Sequence, residues 1–344
     1  MTRAASDARR SHAIKVLTIV GARPQFIKAF PLSRALRAMP DVAEISVHTG
    51  QHFDPNMSDI FFEELGIARP EYELGINGGG QGDMTGRMLI AVEEVLIREE
   101  PDVVVVYGDT NSTTAGALAA AKLGVPLAHV EAGLRSYNRA MPEEINRVVA
   151  DHLSNLLLCP TATAVENLAK EGITRGVVKT GDLMYDAALI GQELAVQKSS
   201  ILATHKLIPK TYAVATIHRA ENTDSPEALA RVLDYLEHAA REQPIIMPVH
   251  PRTRIAARNA AIGIERPGIQ PILPLGYLDM CQLVHNASSI FTDSGGLQKE
   301  AYFHGIPCVT LRGETEWVAT VANGWNRLWH KSGYAPRHSI GEYG

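Results

Sequence analysis

Short runs of β-branched and aliphatic residues recur along the chain, and longer helical stretches separate them. In the first half the runs are KVLTIVG, EISVHTG, DVVVVYGD, PLAHVEAG, NLLLCP and VVKTGD, at residues 15–21, 44–50, 102–109, 126–133, 155–160 and 177–182. Apolar runs without polar alternation are typical of strands buried on both faces, as in a parallel sheet covered by helices. The pattern therefore predicts an α/β domain with a doubly wound sheet.

The same rhythm restarts after an amphipathic helical stretch near residues 186–200. The second series is TYAVATIH, PIIMPVH, QPILPLGY, SSIFTDSGG and IPCVTLRG, at residues 211–218, 244–250, 270–277, 288–296 and 306–313. We therefore predict two Rossmann-like domains, at residues 14–184 and 185–344, after a disordered extension at residues 1–13. The glycine-rich segment NGGGQG, at residues 77–82, is interpreted as a flexible loop.

Length and charge exclude several classes of partner. The 344 residues fit two domains of about 150 residues each. A formal charge of -5 lacks the basic footprint of a nucleic-acid-binding protein, so we expect a small-molecule partner. The first apolar run is interrupted at Lys15, Gly21 and Arg23, and we expect neither a signal peptide nor a membrane span.

Three cysteines, Cys159, Cys281 and Cys308, lie far apart in the sequence. An odd number of cysteines without metal-ligand spacing argues against a disulfide framework and against a zinc site. We therefore expect a reducing, cytoplasmic location and no bound metal.

Several predicted strands end at a glycine, a histidine or a carboxylate. Ligands of open α/β sheets bind outside the carboxyl ends of the strands, so functional side chains should converge on a cleft between the two domains. The segment GARPQFIK, at residues 21–28, places Arg23 and Lys28 at a helix start. Free N–H groups and two cations there indicate an anion site, with a solvated first turn as the alternative.

Two carboxylates follow neighbouring strands of the first half. Asp109 lies at the tip of a four-valine strand, and Glu131 follows the strand that contains His129. Asp109 is either a catalytic or ligand-binding residue or the N-cap of the alanine-rich helix, and the local sequence leaves both open. Glu131 lies at a strand end before Ala-Gly, so it either meets an arginine or works as an acid or base.

A third acidic segment, PEEINR at residues 142–147, begins a helix. Glu143 and Arg147 lie one turn apart on the same face, where an i,i+4 ion pair contributes about 0.2–0.5 kcal/mol. For Glu144 we favour a place on a solvated helix face over a functional role.

In the second half, HRAEN follows one strand and TDSGGLQKEA joins another strand to a helix. The turn Ser294–Gly295–Gly296 allows backbone N–H groups to approach an anion at the helix start. Glu300, one helical turn later, can accept a hydrogen bond from a ribose hydroxyl. Together these features favour a nucleoside diphosphate as the ligand.

Two histidines, His218 and His250, each close a strand of the second half beside Arg219 and Arg252. A single histidine at such a place is usually structural. Two at neighbouring strand ends, each beside an arginine, indicate an anion-facing surface.

The motifs together carry a family resemblance. The segments GARPQFIK, TGQH, YGDT, HVEAGLR, PEEINR, HRAEN, TDSGGLQKEA and ETEW occur in this order within residues 14–330. The ordered set resembles the non-hydrolysing UDP-N-acetylglucosamine 2-epimerase family. This resemblance implies two Rossmann-like domains of the GT-B type, with UDP held mainly by the second and the sugar in the interdomain cleft. It also implies a cytoplasmic homodimer, a UDP-sugar substrate, and chemistry without NAD or a metal.

In that family UDP is eliminated across C1–O and C2–H, and it re-adds to the resulting glycal after a proton returns to the other face of C2. The C2 proton becomes removable only as the C1–O bond stretches, so a base and a leaving-group clamp must act together. Carboxylates suit the base role because they accept a proton and stabilise oxocarbenium character. The predicted catalytic residues are Asp109, Glu131, Glu143 and His218, and the sequence does not tell which carboxylate faces which side of C2.

The other predicted site residues hold the substrate. Donors around the diphosphate stabilise the leaving group, and the resemblance implies that Glu300 binds the uridine ribose. The predicted binding residues are Arg23, Lys28, Arg147, Arg219, His250, Arg252, Tyr277, Ser294, Gly295, Gly296, Glu300 and Arg312.

Three positions depart from the best-known members of the family. Gln25 replaces a Glu, HPRTR at residues 250–254 replaces a stretch containing Asn-Pro, and Gly313 replaces an Asp. Fewer acidic residues and the added Arg252 and Arg254 favour an anionic sugar. At these positions the chain resembles the branch of UDP-2,3-diacetamido-2,3-dideoxyglucuronate 2-epimerases, which make the manno epimer for bacterial surface polysaccharide. UDP-N-acetylglucosamine is the alternative substrate, and a GT-B glycosyltransferase or a UDP-sugar sensor are the other classes considered.

Many bacterial members are activated by their own substrate at a second site, built around a Gln-His motif and a downstream arginine. Gln51 and His52 are present and Arg87 is available, but the following FDPNM differs from the usual continuation. We therefore predict weak or absent activation. The chain ends at Gly344, so we do not expect the last helix that such enzymes fold back over the first domain, and domain closure is in doubt.

Overall fold

The computed structural model describes residues 13–51, 64–66, 68–315 and 317–329. The predicted disordered extension, apart from residue 13, and the predicted activator residue His52 lie outside the described residues. The chain divides into two compact units, Met1–Ala187 and Ala188–Gly344.

The first unit is built on a parallel sheet. Its strands are β1 Ile14–Val20, β2 Val42–His48, β3 Tyr72–Glu73, β4 Val103–Tyr107, β5 Leu127–Val130, β6 Leu156–Cys159 and β7 Val177–Lys179. They lie in the order β3-β2-β1-β4-β5-β6-β7, and each neighbouring pair is parallel. The helices are α1 Arg23–Arg37, α2 Gln81–Glu99, α3 Asn111–Leu123, α4 Pro142–Leu153, α5 Ala162–Lys170 and α6 Leu183–Lys198, which runs on into the second unit.

Alternate residues of the central strands pack into different cores. On β4, Val104 and Val106 join one buried cluster, while Val105 and Tyr107 join another. The sheet is therefore covered on both faces, which explains why its strands show no polar alternation. Each fully buried aliphatic side chain contributes about 1.5–3 kcal/mol to folding.

The second unit repeats this architecture. Its strands are β8 Ala213–Thr216, β9 Ile245–Pro248, β10 Ile269–Ile272, β11 Ser289–Thr292, β12 Cys308–Thr310 and β13 Asn326–Leu328, in the parallel order β10-β9-β8-β11-β12-β13. Its helices are α7 Ile201–Thr204, α8 Ala220–Thr223, α9 Pro226–Ala239, α10 Pro251–Asn259, α11 Tyr277–His285, α12 Gly295–Phe303 and α13 Val318–Ala322. The predicted α/β class with two Rossmann-like sheets is confirmed.

Each sheet has one point where the strand order reverses. In the first unit it lies between β1 and β4, and in the second between β8 and β11. Crevices at such points are the usual ligand sites of open α/β sheets. At the first reversal Gly116 of α3 faces β1 and β4, and a Cβ there would lie 2.7 Å from Ile19 Cδ1. Glycine thus allows α3 to approach the sheet closely.

The sequence missed some short elements. The two-residue β3 and the three-residue β13 were not predicted, and two residues of the predicted flexible loop, Gln81 and Gly82, form the first turn of α2. Among the described residues, no helix has the length and apolar character that crossing a bilayer requires.

Candidate active site

Gln25 connects the two turns that flank the first reversal point. Its Oε1 accepts hydrogen bonds from the N–H groups of Gly21 and Ala22, at 2.8 and 3.0 Å. Its Nε2 donates to the Tyr107 carbonyl at 2.6 Å and lies 2.9 Å from the Thr110 hydroxyl. The amide is buried and uses both its ends, so it fixes the β1–α1 turn against the β4–α3 turn.

The buried position of Gln25 corrects one argument from the sequence. We expected its replacement of a Glu to remove a negative charge near the sugar. The side chain instead lies inside the first unit and holds two backbone turns. That part of the charge argument was wrong, because sequence alone does not tell which way a residue in the first helical turn points.

Lys28 and Glu131 form an ion pair at the carboxyl edge of the first sheet. Their side chains are only 14% and 10% exposed. Burial alone lowers the pKa of Lys28, but the Glu131 carboxylate, with Asp109 beyond it, raises that pKa above its ordinary value. Glu131 was expected to meet an arginine or to act as an acid or base; its cationic partner is a lysine.

The backbone of Glu131 lies in the left-handed region, with φ at 70°. A non-glycine residue with this conformation carries strain of about 1–2 kcal/mol, and such residues cluster at functional sites. Neighbouring Gly108 also has a positive φ, and a Cβ there would lie 3.3 Å from Glu131 Oε2. The turn after β4 is therefore shaped to admit the Glu131 carboxylate.

Asp109 and Glu144 share one arginine. Arg147 forms an ion pair with Asp109 and a second one with Glu144, at 2.9 Å. Glu144 also accepts from the backbone N–H groups of Ser136 and Tyr137, both at 2.9 Å. Burial raises the pKa of Glu144, but these donors and the Arg147 charge outweigh burial and lower it.

The structure overturns the expectation for Glu144 and excludes one of the two alternatives for Asp109. Glu144 is buried rather than solvated, because it caps the loop at Ser136 and holds Arg147. Asp109 is not the N-cap of α3, since the Thr110 side chain takes that place by accepting from Thr113 N. Glu143 is exposed in the first turn of α4, and its catalytic role stays a prediction.

In the second unit the reversal point is organised around Asp293, which the sequence did not single out. This fully buried carboxylate accepts from the N–H groups of His218 and Arg219 and from Asn222 Nδ2, at distances of 2.9–3.1 Å. His218 Nδ1 lies 3.1 Å from Asp293 Oδ1. Burial raises the pKa of Asp293, but the donors of His218 and Asn222 outweigh burial and lower it.

His250 lies beside His218, with ring centroids 5.4 Å apart. Its Nδ1 caps α10 by accepting from Arg252 N at 3.1 Å. The Arg252 guanidinium is exposed and pairs with Asp224 at 2.6 Å. The structure therefore brings the two histidines together, while the charge of Arg252 is already matched on the surface.

The Ser-Gly-Gly turn leads from β11 into α12. Ser294 is the N-cap, and its hydroxyl accepts from Leu297 N at 3.4 Å. A Cβ on Gly296 would meet Ser294 Oγ at 3.8 Å and no other tested atom within 4 Å, so the second glycine is uncrowded on this side. Glu300 lies on the second turn of the same helix and is half-buried. This arrangement fits an anion at the helix start with a polar group one turn away.

The remaining predicted binding residues fall into different surroundings. Arg312 Nε lies 3.8 Å from Glu221 Oε2, and no atom lies within 4 Å of a Cβ built on Gly313. Tyr277 is buried, and its ring atoms lie 2.9–3.3 Å from the position of a Cβ on Gly191, so it packs inside the second unit. The side chain of Arg23, at the start of α1, lies outside the described part of the chain.

Two residues of the predicted activator site have other contacts. Gln51 Oε1 accepts from Ser112 N and Oγ at 3.1 and 2.9 Å. Arg87 pairs with Asp83 and donates to the Gly78 carbonyl. These contacts agree with weak activation, which stays a prediction.

No cluster of three or more His, Cys, Asp or Glu side chains suited to a metal occurs within the described ranges. The polar groups at both reversal points are hydrogen-bond donors and paired carboxylates. Such groups can move protons and bind anions.

Comparison with known proteins then decides the family. The UDP-N-acetylglucosamine 2-epimerase family model matches residues 34–335. A UDP-2,3-diacetamido-2,3-dideoxy-D-glucuronate 2-epimerase of Pseudomonas aeruginosa is 50% identical over 319 residues, covering 92% of this chain and 88% of the relative. The chain belongs to the UDP-N-acetylglucosamine 2-epimerase family.

Two further relatives agree with this assignment. A UDP-N-acetylglucosamine 2-epimerase homolog of Methanococcus maripaludis is 52% identical, covering 92% of this chain and 88% of the relative. The crystal structure of the Methanocaldococcus jannaschii UDP-GlcNAc 2-epimerase in complex with UDP-GlcNAc and UDP superposes with a TM-score of 0.78 at 42% identity, covering 94% of this chain and 90% of that one. The predicted resemblance is confirmed, and the chain is an enzyme of the UDP-sugar 2-epimerase type.

Proposed function

We propose that this epimerase inverts C2 of a UDP-sugar, with the first unit supplying the acid–base carboxylates and the second holding UDP. The observation that carries the proposal is the pair of carboxylates at neighbouring strand ends, Asp109 and Glu131, each paired with one cation. Paired and half-buried carboxylates at a reversal point are placed to exchange a proton with a bound sugar.

The reaction balances without an added oxidant or reductant. A carboxylate takes the C2 proton, the C–H electron pair forms the C1–C2 double bond, and the C1–O pair leaves with UDP. The reverse steps deliver a proton to the opposite face of C2 and return the UDP oxygen to C1. Asp109, Glu131 and Glu143 are the proposed proton carriers, and His218 is the proposed donor to the leaving phosphate.

The leaving group needs donors, and the second unit supplies them. The helix start at Ser294, Gly295 and Gly296 is the proposed diphosphate site, and Glu300 is the proposed ribose acceptor. The proposed polar shell contains Arg23, Lys28, Arg147, Arg219, His250, Arg252, Tyr277 and Arg312. The proposed domain boundary lies between residues 184 and 185, and both domains contribute to this shell.

Incubation with a UDP-sugar in deuterated water tests this proposal. An epimerase installs deuterium at C2 of both epimers without net loss of the nucleotide sugar. A glycosyltransferase would consume the nucleotide only when an acceptor is added, and a sensor would bind without exchange. Absence of C2 exchange with both candidate sugars would contradict the proposal.

For the substrate we propose UDP-2,3-diacetamido-2,3-dideoxyglucuronate. The P. aeruginosa relative supports this choice, as does the open space at Gly313, which leaves room for a 3-acetamido group next to the Arg312 guanidinium. The charge differences at positions 25 and 252 no longer support this substrate, because Gln25 is buried and Arg252 is already paired with Asp224.

UDP-N-acetylglucosamine is the second candidate, because the M. maripaludis relative and the M. jannaschii structure carry that name at comparable or lower identity. Offering both UDP-sugars at equal concentration separates the two. We expect kcat/KM to be higher for the diacetamido uronate. A value for UDP-N-acetylglucosamine equal to or above it would overturn the substrate assignment and leave the epimerase assignment intact.

We further propose a cytoplasmic homodimer that supplies surface polysaccharide biosynthesis. Two exposed isoleucines seven residues apart on α2, Ile90 and Ile97, support an association surface, and three free buried cysteines fit a reducing compartment. Light scattering should give twice the chain mass, and Ile90→Lys should reduce it. Removing the enzyme from its cell should remove the manno-configured sugar from the envelope polysaccharide.

A further inference from the structure

Four ionisable side chains of the first unit, linked in series by ion pairs, have no role in the chemistry described above. His129 on β5 contacts Asp151 on α4, Asp151 contacts Arg135, and Arg135 binds Glu171 with both arms of its guanidinium. The side chains of His129, Asp151 and Arg135 are at most 1% exposed. Groups this deeply buried are kept charged only by close partners.

The contacts of His129 fix its protonation. Nδ1 lies 2.7 Å from Asp151 Oδ1, and Nε2 lies 2.7 Å from the Gly108 carbonyl oxygen. A carbonyl oxygen only accepts, and an ionised carboxylate only accepts, so both ring nitrogens must donate. With Asp151 ionised, an imidazolium ring is the form that satisfies both contacts.

The surrounding charges agree with this state. Burial raises the pKa of Asp151, but His129 and Arg135 outweigh burial and lower it. The thiol of Cys159, which also faces this group, has its pKa raised to about 11 by burial and is neutral. Two cations and two carboxylates therefore balance, as burial requires.

This series of side chains forms hydrogen bonds to both turns that carry the proposed acid–base groups. The Gly108 carbonyl belongs to the peptide bond that leads into Asp109. Next to His129 in this series, Asp151 accepts from Gly133 N at 3.1 Å, two residues after Glu131. Three residues of these turns have positive φ, at 60°, 70° and 80° for Gly108, Glu131 and Gly133. Glu131 is the non-glycine among these three, and a non-glycine residue keeps that conformation only where surrounding contacts hold it.

We propose that His129, doubly protonated on Asp151, is a positioning residue that sets the placement of Asp109 relative to Glu131. This inference rests on the proposed epimerase function, since it assigns the two carboxylates to one reaction. His129 touches no substrate and acts through the Gly108 carbonyl.

The test uses the full chain with the variants His129→Gln and Asp151→Asn. The matched control is His152→Gln, because His152 is the exposed neighbour of Asp151 on α4. We expect kcat to fall about tenfold or more in both test variants, while the dissociation constant of UDP stays within about twofold. The control should keep both values.

A second readout does not depend on catalysis. Ring ¹⁵N resonances of His129, assigned in the wild type by correlation with its own backbone amide, should report two protonated nitrogens at neutral pH, and one should lose its proton in Asp151→Asn. A ring with one bare nitrogen in the wild type would overturn the proposal, and so would unchanged kcat in two folded variants. Equal losses of kcat and UDP affinity would also overturn it, because they indicate general unfolding.

If His129→Gln does not fold, the wild-type ring signal and the Asp151→Asn variant decide between the outcomes. If the wild-type enzyme epimerises neither sugar, the proposed function is wrong. The ¹⁵N signal of the His129 ring would still test the protonation of His129 separately.

Discussion

The two units place side chains at equivalent reversal points, yet the side chains differ in kind. In the first unit the groups are carboxylates fixed by ion pairs, Glu131 to Lys28 and Asp109 to Arg147. In the second unit a buried carboxylate, Asp293, accepts from the His218 N–H and contacts the His218 ring, next to the helix start at Ser294. Two similar sheets can thus hold proton carriers at one site and anion donors at another, because the turns after their strands carry different side chains.

The largest expected effect is the loss of turnover when either carboxylate of the first unit is replaced. Its absence would contradict the comparison between the two units. Asp109→Asn and Glu131→Gln should each lower turnover by about two orders of magnitude or more, because an amide cannot carry the proton. UDP affinity should change less than about threefold, since the nucleotide is assigned to the other unit. Steady-state rates and UDP titration measure both quantities, with the exposed Glu166→Gln as control. A variant with near-normal turnover would remove that carboxylate from the mechanism.

The second prediction concerns the structural support beneath the carboxylates. Gln25→Ala leaves the N–H groups of Gly21 and Ala22 without their acceptor, so the free energy of unfolding should fall by about 1–3 kcal/mol. Arg252→Ala, which breaks an exposed ion pair in the second unit, should cost less than about 1 kcal/mol. Denaturant unfolding of the two variants gives the difference. Equal losses would mean that the Gln25 contacts are not supporting the turns.

The third prediction concerns the second unit alone. Glu300→Ala should weaken UDP binding about tenfold by removing one charge-assisted hydrogen bond to the ribose. Deuterium exchange at saturating substrate should continue. Calorimetric titration with UDP measures the loss, and an unchanged affinity would end the ribose assignment.

The smallest effect is a pH dependence in the first unit. The pKa of Glu144 is lower in the folded chain than in the unfolded one, so its ionised form stabilises the fold above the unfolded value of about 4.3. This contribution disappears as pH falls through the folded pKa. Glu144→Gln should therefore be less stable than wild type at pH 7, and the difference should shrink below about pH 4. Thermal melts from pH 7 to pH 3 check this, and a difference independent of pH would contradict it.

The sequence predicted the two parallel sheets because residues such as Val104 and Val105 pack on opposite faces, and such strands lack polar alternation. It also placed Asp109 and Glu131 at strand ends, where topology brings side chains to one edge. It did not predict β3 or β13, since two or three residues carry no readable period.

Partner choice was the part that sequence could not give. Arg147 pairs with Glu144, three residues away, rather than with Glu143, four residues away, and Glu144 also accepts from the backbone N–H of Ser136. The contacts of His129 were not predicted, because it lies inside a buried strand and the sequence there does not distinguish it from a structural core residue. Asp293, next to the predicted Ser294, could have been found by the same rule that found Asp109, a carboxylate directly after an apolar run.

The left-handed backbone of Glu131 sets stability against activity at one position. Glycine adopts that conformation without penalty, so Glu131→Gly should be more stable than Glu131→Ala by about 1 kcal/mol, although both lose the Lys28 pair and both should be inactive. A screen that rewards thermal stability would therefore favour glycine over alanine here and would discard the reaction. Glu131 marks a place where the chain gives up folding free energy to keep a carboxylate in position.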